Sequence, residues 1–210
     1  MSEGEKTVKP LIENGDDVPA PLFSSVRERR LWLWTLAVLV GIYSTLGLAR
    51  TLAGILRDQG MLANTVLFSM ILIGVGVLVQ GLRRRPGGTE IGVALGIAAV
   101  YILMFLRMSV PLEERTHLME YTVVALLIYE ALMERASNGR RVPVPALLAI
   151  VATALFGLLD EGIQAFIPSR VFDPIDILFN TLAGLMAVLA SVVLAWARRL
   201  GTKDGPKGAK

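Results

Sequence analysis

Apolar positions fall in six long runs separated by short polar, Gly- or Pro-containing stretches, and the runs are far too long and unbroken for alternating strands. Residues 31–49 (LWLWTLAVLVGIYSTLGLA) form the first, preceded by Arg27, Arg29 and Arg30 and edged by Trp32 and Trp34, as an interfacial helix end requires. The others are 65–82, 90–108, 117–133, 146–166 and 175–199. Asn64 and Thr89 stand where N-caps of the second and third belong, and residues 50–60 read as a short amphipathic link. About twenty apolar residues cross a hydrocarbon core of about 30 Å. The pattern therefore predicts an all-α fold, a polytopic membrane helix bundle of about six transmembrane helices. Residues 1–26 lack apolar periodicity and read as a disordered tail, too long and polar for the opening of a signal peptide, so the first helix is expected to stay uncleaved.

Composition agrees, with 54% hydrophobic residues among 210. A net charge of +3 suggests an anionic partner, but the basic residues cluster between apolar runs instead of lining one face, which points to lipid headgroups and not nucleic acid. Their distribution also orients the chain. Placing the amino terminus, the 83–88 loop, the 134–145 loop and the carboxyl tail on one side gathers sixteen Lys and Arg there, leaving Arg50, Arg57, Arg107, Arg115 and Arg170 on the other. The basic side is expected to be cytoplasmic, with both termini on it. Cysteine is absent, which excludes disulfides, a thiolate nucleophile and a zinc-thiolate site, and the single histidine, His117, excludes any mechanism needing two imidazoles.

The non-basic end carries the chemistry. His117 and Glu120 share a face at the start of the fourth run with Tyr121 beside them, Glu161 and Gln164 end the fifth, and Asp176, Asn180 and Gly184 follow one stripe of the sixth. Ionisable groups at membrane depth are costly and turn toward partners or a wet cavity, so a functional site is the default reading. Asp173 reads as an N-cap with Pro174 after it, Asp176 fits both a first-turn acid and a site residue, Glu130 is expected to snorkel or pair with Arg135, and Gly184 to allow close helix approach. In the loops and helix ends of the non-basic side from 107 to 176, the three arginines Arg107, Arg115 and Arg170 face seven acids, namely Glu113, Glu114, Glu120, Asp160, Glu161, Asp173 and Asp176. So acidic a site suits carboxylate acid/base work or a divalent cation held by oxygen ligands with His117, and a metal-free site equally.

In order and spacing, His117, Glu120 and Tyr121, then Glu161 and Gln164, Pro168 and Arg170, Asp173, Asp176 and Asn180 resemble the VanZ-like family of bacterial membrane proteins. The resemblance runs over roughly residues 100–197, with Ala183 standing where the first family glycine is expected. It divides the chain into a tail (1–26), two additional helices (27–86) acting as lateral support, a four-helix VanZ-like region (87–199) and a basic tail (200–210). It implies a multi-pass protein of the bacterial cytoplasmic membrane with an envelope role of the kind associated with teicoplanin resistance.

Two functions follow as expectations. The first is an enzyme acting on an anionic, lipid-linked envelope substrate at the outer leaflet. In it Glu161 is the base, His117 and Glu120 an orienting pair, Asp176 a further acid, Arg170 the anion clamp, and Gln164 and Asn180 positioning amides. The second is an envelope protein binding a lipid or partner in the same pocket without chemistry. A channel is the weaker reading, because no comparable polar groups line the cytoplasmic half. Neither a rhomboid-type G-x-S-G nor a multi-histidine phosphatase pattern occurs.

Overall fold

The computed structural model describes residues 21–82, 86–108, 115–167 and 173–203. The expected disordered tail falls largely on residues 1–20, outside this set. Among the described residues there are six helices and no strand: α1 (Val26–Asp58), α2 (Leu62–Leu82), α3 (Gly88–Arg107), α4 (Thr116–Ser137), α5 (Pro145–Gln164) and α6 (Pro174–Lys203).

Local chemistry explains the ends. Ser25 caps α1 by accepting the Glu28 amide at 3.0 Å, and Glu28 reaches back to the amide and hydroxyl of Ser24 at 2.6 and 2.7 Å, a variant of the capping box shifted by one residue. The stretch 50–60 is no separate link. α1 continues through it to Asp58, bent by 64° between Val26–Leu46 and Thr51–Asp58. It closes with Met61 N–H on the Leu56 carbonyl and Gly60 N–H on that of Arg57, a Schellman motif that needs the positive φ of +70° at Gly60. α2 and α3 begin earlier than expected, at Leu62 and Gly88, so Asn64 and Thr89 sit inside the first turns and neither is the cap. The residue before α3 is Gly87, which has no side chain to bond.

α4 is the centre of the bundle, flanked by α1, α5 and α6. Leu39 and Ile42 of α1, Val124 and Ile128 of α4, Ala149 of α5 and Val188 of α6 form one core cluster. Met108, Leu118, Tyr121 and Ala183 form a second, nearer the acidic end. Full burial of a leucine- or isoleucine-sized side chain stabilises the packed state by about 1.5–3 kcal/mol against exposure to water. In a bilayer, where lipid is as apolar as the core, close packing carries more of that role. α3 packs on α6 and α2 on α1, while α1, expected with α2 as lateral support, contributes to the core.

The basic end is tied together. Arg27 bridges Glu130 at 2.7 Å and Glu134 at 2.8 Å, and Arg135 bridges the fully buried Glu28 at 2.8 Å. Glu130 thus pairs with Arg27 instead of the expected Arg135, because Arg135 turns toward the capped start of α1. Hydrogen bonding from the Ser25 hydroxyl, with Asn138 and Arg27 adding to it, holds the Glu134 carboxyl below its usual range and keeps this pair ionic. Arg198 near the end of α6 pairs with Glu90 in the first turn of α3. Starts of α1 and α3 therefore meet ends of α4 and α6, the alternation of an up-and-down bundle.

Among the described residues, α3, α5 and the Pro174–Leu200 part of α6 are long and apolar enough to cross a membrane, and the bent α1 makes a fourth if taken as one span. The sequence pattern predicts six. His117, Glu120 and Glu130 lower the apolarity of α4, and the apolar stretch Leu62–Leu72 of α2 is short.

Candidate functional site

The buried face of α5 turns polar toward its end: Ala149, Thr153 and Gly157, then Asp160, Glu161 and Gln164. Two glycines let α5 and α6 approach closely enough to bury it. A Cβ on Gly157 would lie 2.7 Å from the Cβ of Asn180, and one on Gly184 would lie 3.1 Å from Cγ2 of Thr153. Asn180 of α6 thus seats on Gly157 of α5, and Thr153 of α5 on Gly184 of α6, which is the close approach anticipated for Gly184.

Around this contact the structure gathers most of the expected residues. His117 is buried at the start of α4, its Nδ1 3.5 Å from Oε2 of the half-buried Glu120 and 3.8 Å from Oδ2 of Asp160, both too long for a good hydrogen bond. Glu161 is 1% exposed; its Oε2 accepts the Asp173 amide at 2.9 Å, and it lies within electrostatic reach of Asp176, Asp160 and His117. Gln164, Asp176 and Asn180 are buried as well. Asp173 Oδ1 accepts the Ile175 amide at 2.8 Å, the geometry of an N-cap ahead of Pro174. Arg170, the expected clamp, and Pro168 of the family pattern lie outside the described residues.

Sequence reasoning counted Asp160 among the acids of this end but gave it no role in the site, yet it is fully buried and faces His117. The available signal was its spacing, three residues after Gly157 and four before Gln164, which puts all three on one face. Tyr43 of α1 was missed too. Its hydroxyl donates to the Phe156 carbonyl at 3.0 Å, as that of Tyr121 does at 3.2 Å, fixing α5 one turn before Asp160.

Among the described residues, seven buried side-chain atoms have no hydrogen-bond partner: Nδ1 of His117, both carboxylate oxygens of Asp160, Oε1 of Glu161, Nε2 of Gln164, and Oδ1 and Nδ2 of Asn180. Leaving one such atom unpaired costs about 1–3 kcal/mol, so seven in one region mark a place built for polar company. A divalent cation fits less well. Among the described residues no group of three His, Asp or Glu is placed to hold a metal ion.

Long apolar helices enclosing a polar cluster at one end define a helical membrane protein. The family model VanZ/LLP1 matches residues 22–195, and the chain belongs to that family. The match extends beyond residues 100–197 to take in α1 and α2. Neither the curated proteins nor the solved structures compared with the chain gave a match.

Proposed function

We propose that this VanZ-type protein is a multi-pass protein of the bacterial cytoplasmic membrane, with six spans and both termini in the cytoplasm. Its acidic end is a pocket at the outer leaflet that engages the polar head of a lipid-linked envelope substrate bearing an anionic group. The seven unpartnered buried atoms, contributed by α4, α5 and α6, carry this reading. Glu161 acts as the base, His117 with Glu120 as the orienting pair, Asp176 as a further acid, Gln164 and Asn180 as positioning amides, and Arg170 as the anion clamp. A contribution to glycopeptide resistance of the teicoplanin type follows from the family's namesake. Binding without chemistry uses the same pocket and rests on the same atoms.

Glu161→Gln keeps shape and the bond from the Asp173 amide while removing basicity. It is expected to leave abundance near the parent level and to abolish the envelope phenotype, read as teicoplanin susceptibility or lipid composition at matched expression. Asp173→Asn retains the cap and the backbone bond and should be much milder. Full activity of Glu161→Gln removes the acid/base reading and leaves binding.

The orientation has its own test, since the chain has no native cysteine. Phe166→Cys, at an exposed position after α5, should react with an impermeant thiol reagent on intact cells, and Ser137→Cys, exposed at the end of α4, only after lysis. The reverse pattern relocates the site to the cytoplasmic face.

A further inference from the structure

The unpaired atoms of the site are unequal in kind. Four are oxygens: both of Asp160, Oε1 of Glu161 and Oδ1 of Asn180. Only two are amide nitrogens that must donate, on Gln164 and Asn180. Asp160 and Glu161 are 0% and 1% exposed, and among the described residues His117 is the only basic side chain that approaches Asp160 within 4 Å, while none so approaches Glu161. The amides of Gln164 and Asn180, 1% and 0% exposed and without partners on those atoms among the described residues, are a second, independent sign of a further polar group in the region. Such a floor repels an inward-pointing phosphate or carboxylate. Sugar hydroxyls bring one hydrogen per oxygen and leave the carboxylate charge unmatched. A quaternary ammonium brings charge but no hydrogen. A primary ammonium brings both, with three hydrogens for the four oxygens.

Accepting that the pocket engages a lipid head, on which this step rests, we propose that its floor, centred on Asp160, receives a primary ammonium group. The lipid head is then zwitterionic, with the amine directed inward and the phosphate left at the rim. The anionic group of the substrate therefore does not contact Asp160 or Glu161.

The test uses the full-length protein in detergent, with phosphatidylethanolamine, phosphatidylcholine or phosphatidylglycerol of matched acyl chains added, and thermal unfolding followed. Phosphatidylethanolamine should raise the midpoint at roughly tenfold lower concentration than the other two, the preference expected of one charge-assisted hydrogen bond. Asp160→Asn, close to isosteric, should unfold normally in phosphatidylglycerol and lose that preference. Free ethanolamine reproducing the shift at equal concentration would assign the site to a soluble amine and overturn the lipid assignment. Equal shifts with the three lipids, or a preference that survives Asp160→Asn, would overturn the ammonium site. If the variant does not fold, the three-lipid comparison on the parent protein decides. An absent amine preference together with a phenotype lost in Glu161→Gln would refute this inference alone and leave the pocket standing.

Discussion

Gly157→Ala should lower the thermal midpoint by several degrees and weaken the envelope phenotype, the largest effect expected of a methyl group added to any of the described glycines. The added carbon would meet Asn180 Cβ at 2.7 Å and Nδ2 at 3.0 Å. A Cβ is one bond from the backbone and cannot swing aside, so relief requires α5 and α6 to separate. Overpacking of this kind costs about 1–3 kcal/mol, against which the better helix propensity of alanine returns only about 1 kcal/mol. Separation would also shift Asp160 and Gln164, which follow on the same face. Gly162→Ala is the control: it lies on the same helix, its added methyl would have nothing within 4 Å, and it should be neutral or slightly stabilising. Unfolding midpoints of the two variants in one detergent decide the matter, and equal midpoints would mean that the close approach of α5 and α6 is not needed.

Arg135→Gln should destabilise the opposite end by about 1–3 kcal/mol, the cost of taking the charged partner from a covered carboxylate in a pair whose arginine is one-third exposed. The Glu28 side chain is 0% exposed, and besides Arg135 it is bonded, among the described residues, only by neutral donors, namely the Ser24 amide and hydroxyl and the Trp32 indole at 3.3 Å. Charge is the issue rather than the number of hydrogen bonds. The double variant Glu28→Gln with Arg135→Gln should therefore recover most of the loss, because an uncharged amide can keep several of those contacts. Unfolding of the single and double variants provides the measurement. A double variant no more stable than Arg135→Gln would show that Arg135 acts through its bonds to the Leu22 carbonyl and the start of α1 instead.

The six helices were legible because runs of about twenty apolar residues have few other uses, and their polar ends because an acid or imidazole is conspicuous in such surroundings. Less legible was anything requiring two helices at once. Asp160 reads as one more acid at a crowded helix end until Gly157 and Asn180 are seen to fix which face of α5 turns inward. The pairing of Glu130 with Arg27 joins residues 103 apart, whereas spacing along a helix favours nearer partners. The continuation of α1 through 50–60 was hidden by Arg50, Arg57 and Asp58, which imitate a loop but sit on a bent helix. The capping box of Ser25 and Glu28 was present as S-x-x-E and needed only to be looked for beyond the apolar edge.

Two tyrosine hydroxyls, from α1 and α4, converge on the carbonyl of Phe156. An acceptor on the main chain is indifferent to the side chain it belongs to, while its donors are side-chain groups that a single substitution removes. Divergence among related sequences should therefore be asymmetric at this junction. Position 156 is free to exchange one apolar residue for another, whereas 43 and 121 must each keep a hydroxyl on a ring, or change together with whatever replaces the lost grip on α5. The history of this end of the bundle is then written in the hydroxyls that hold α5 in place.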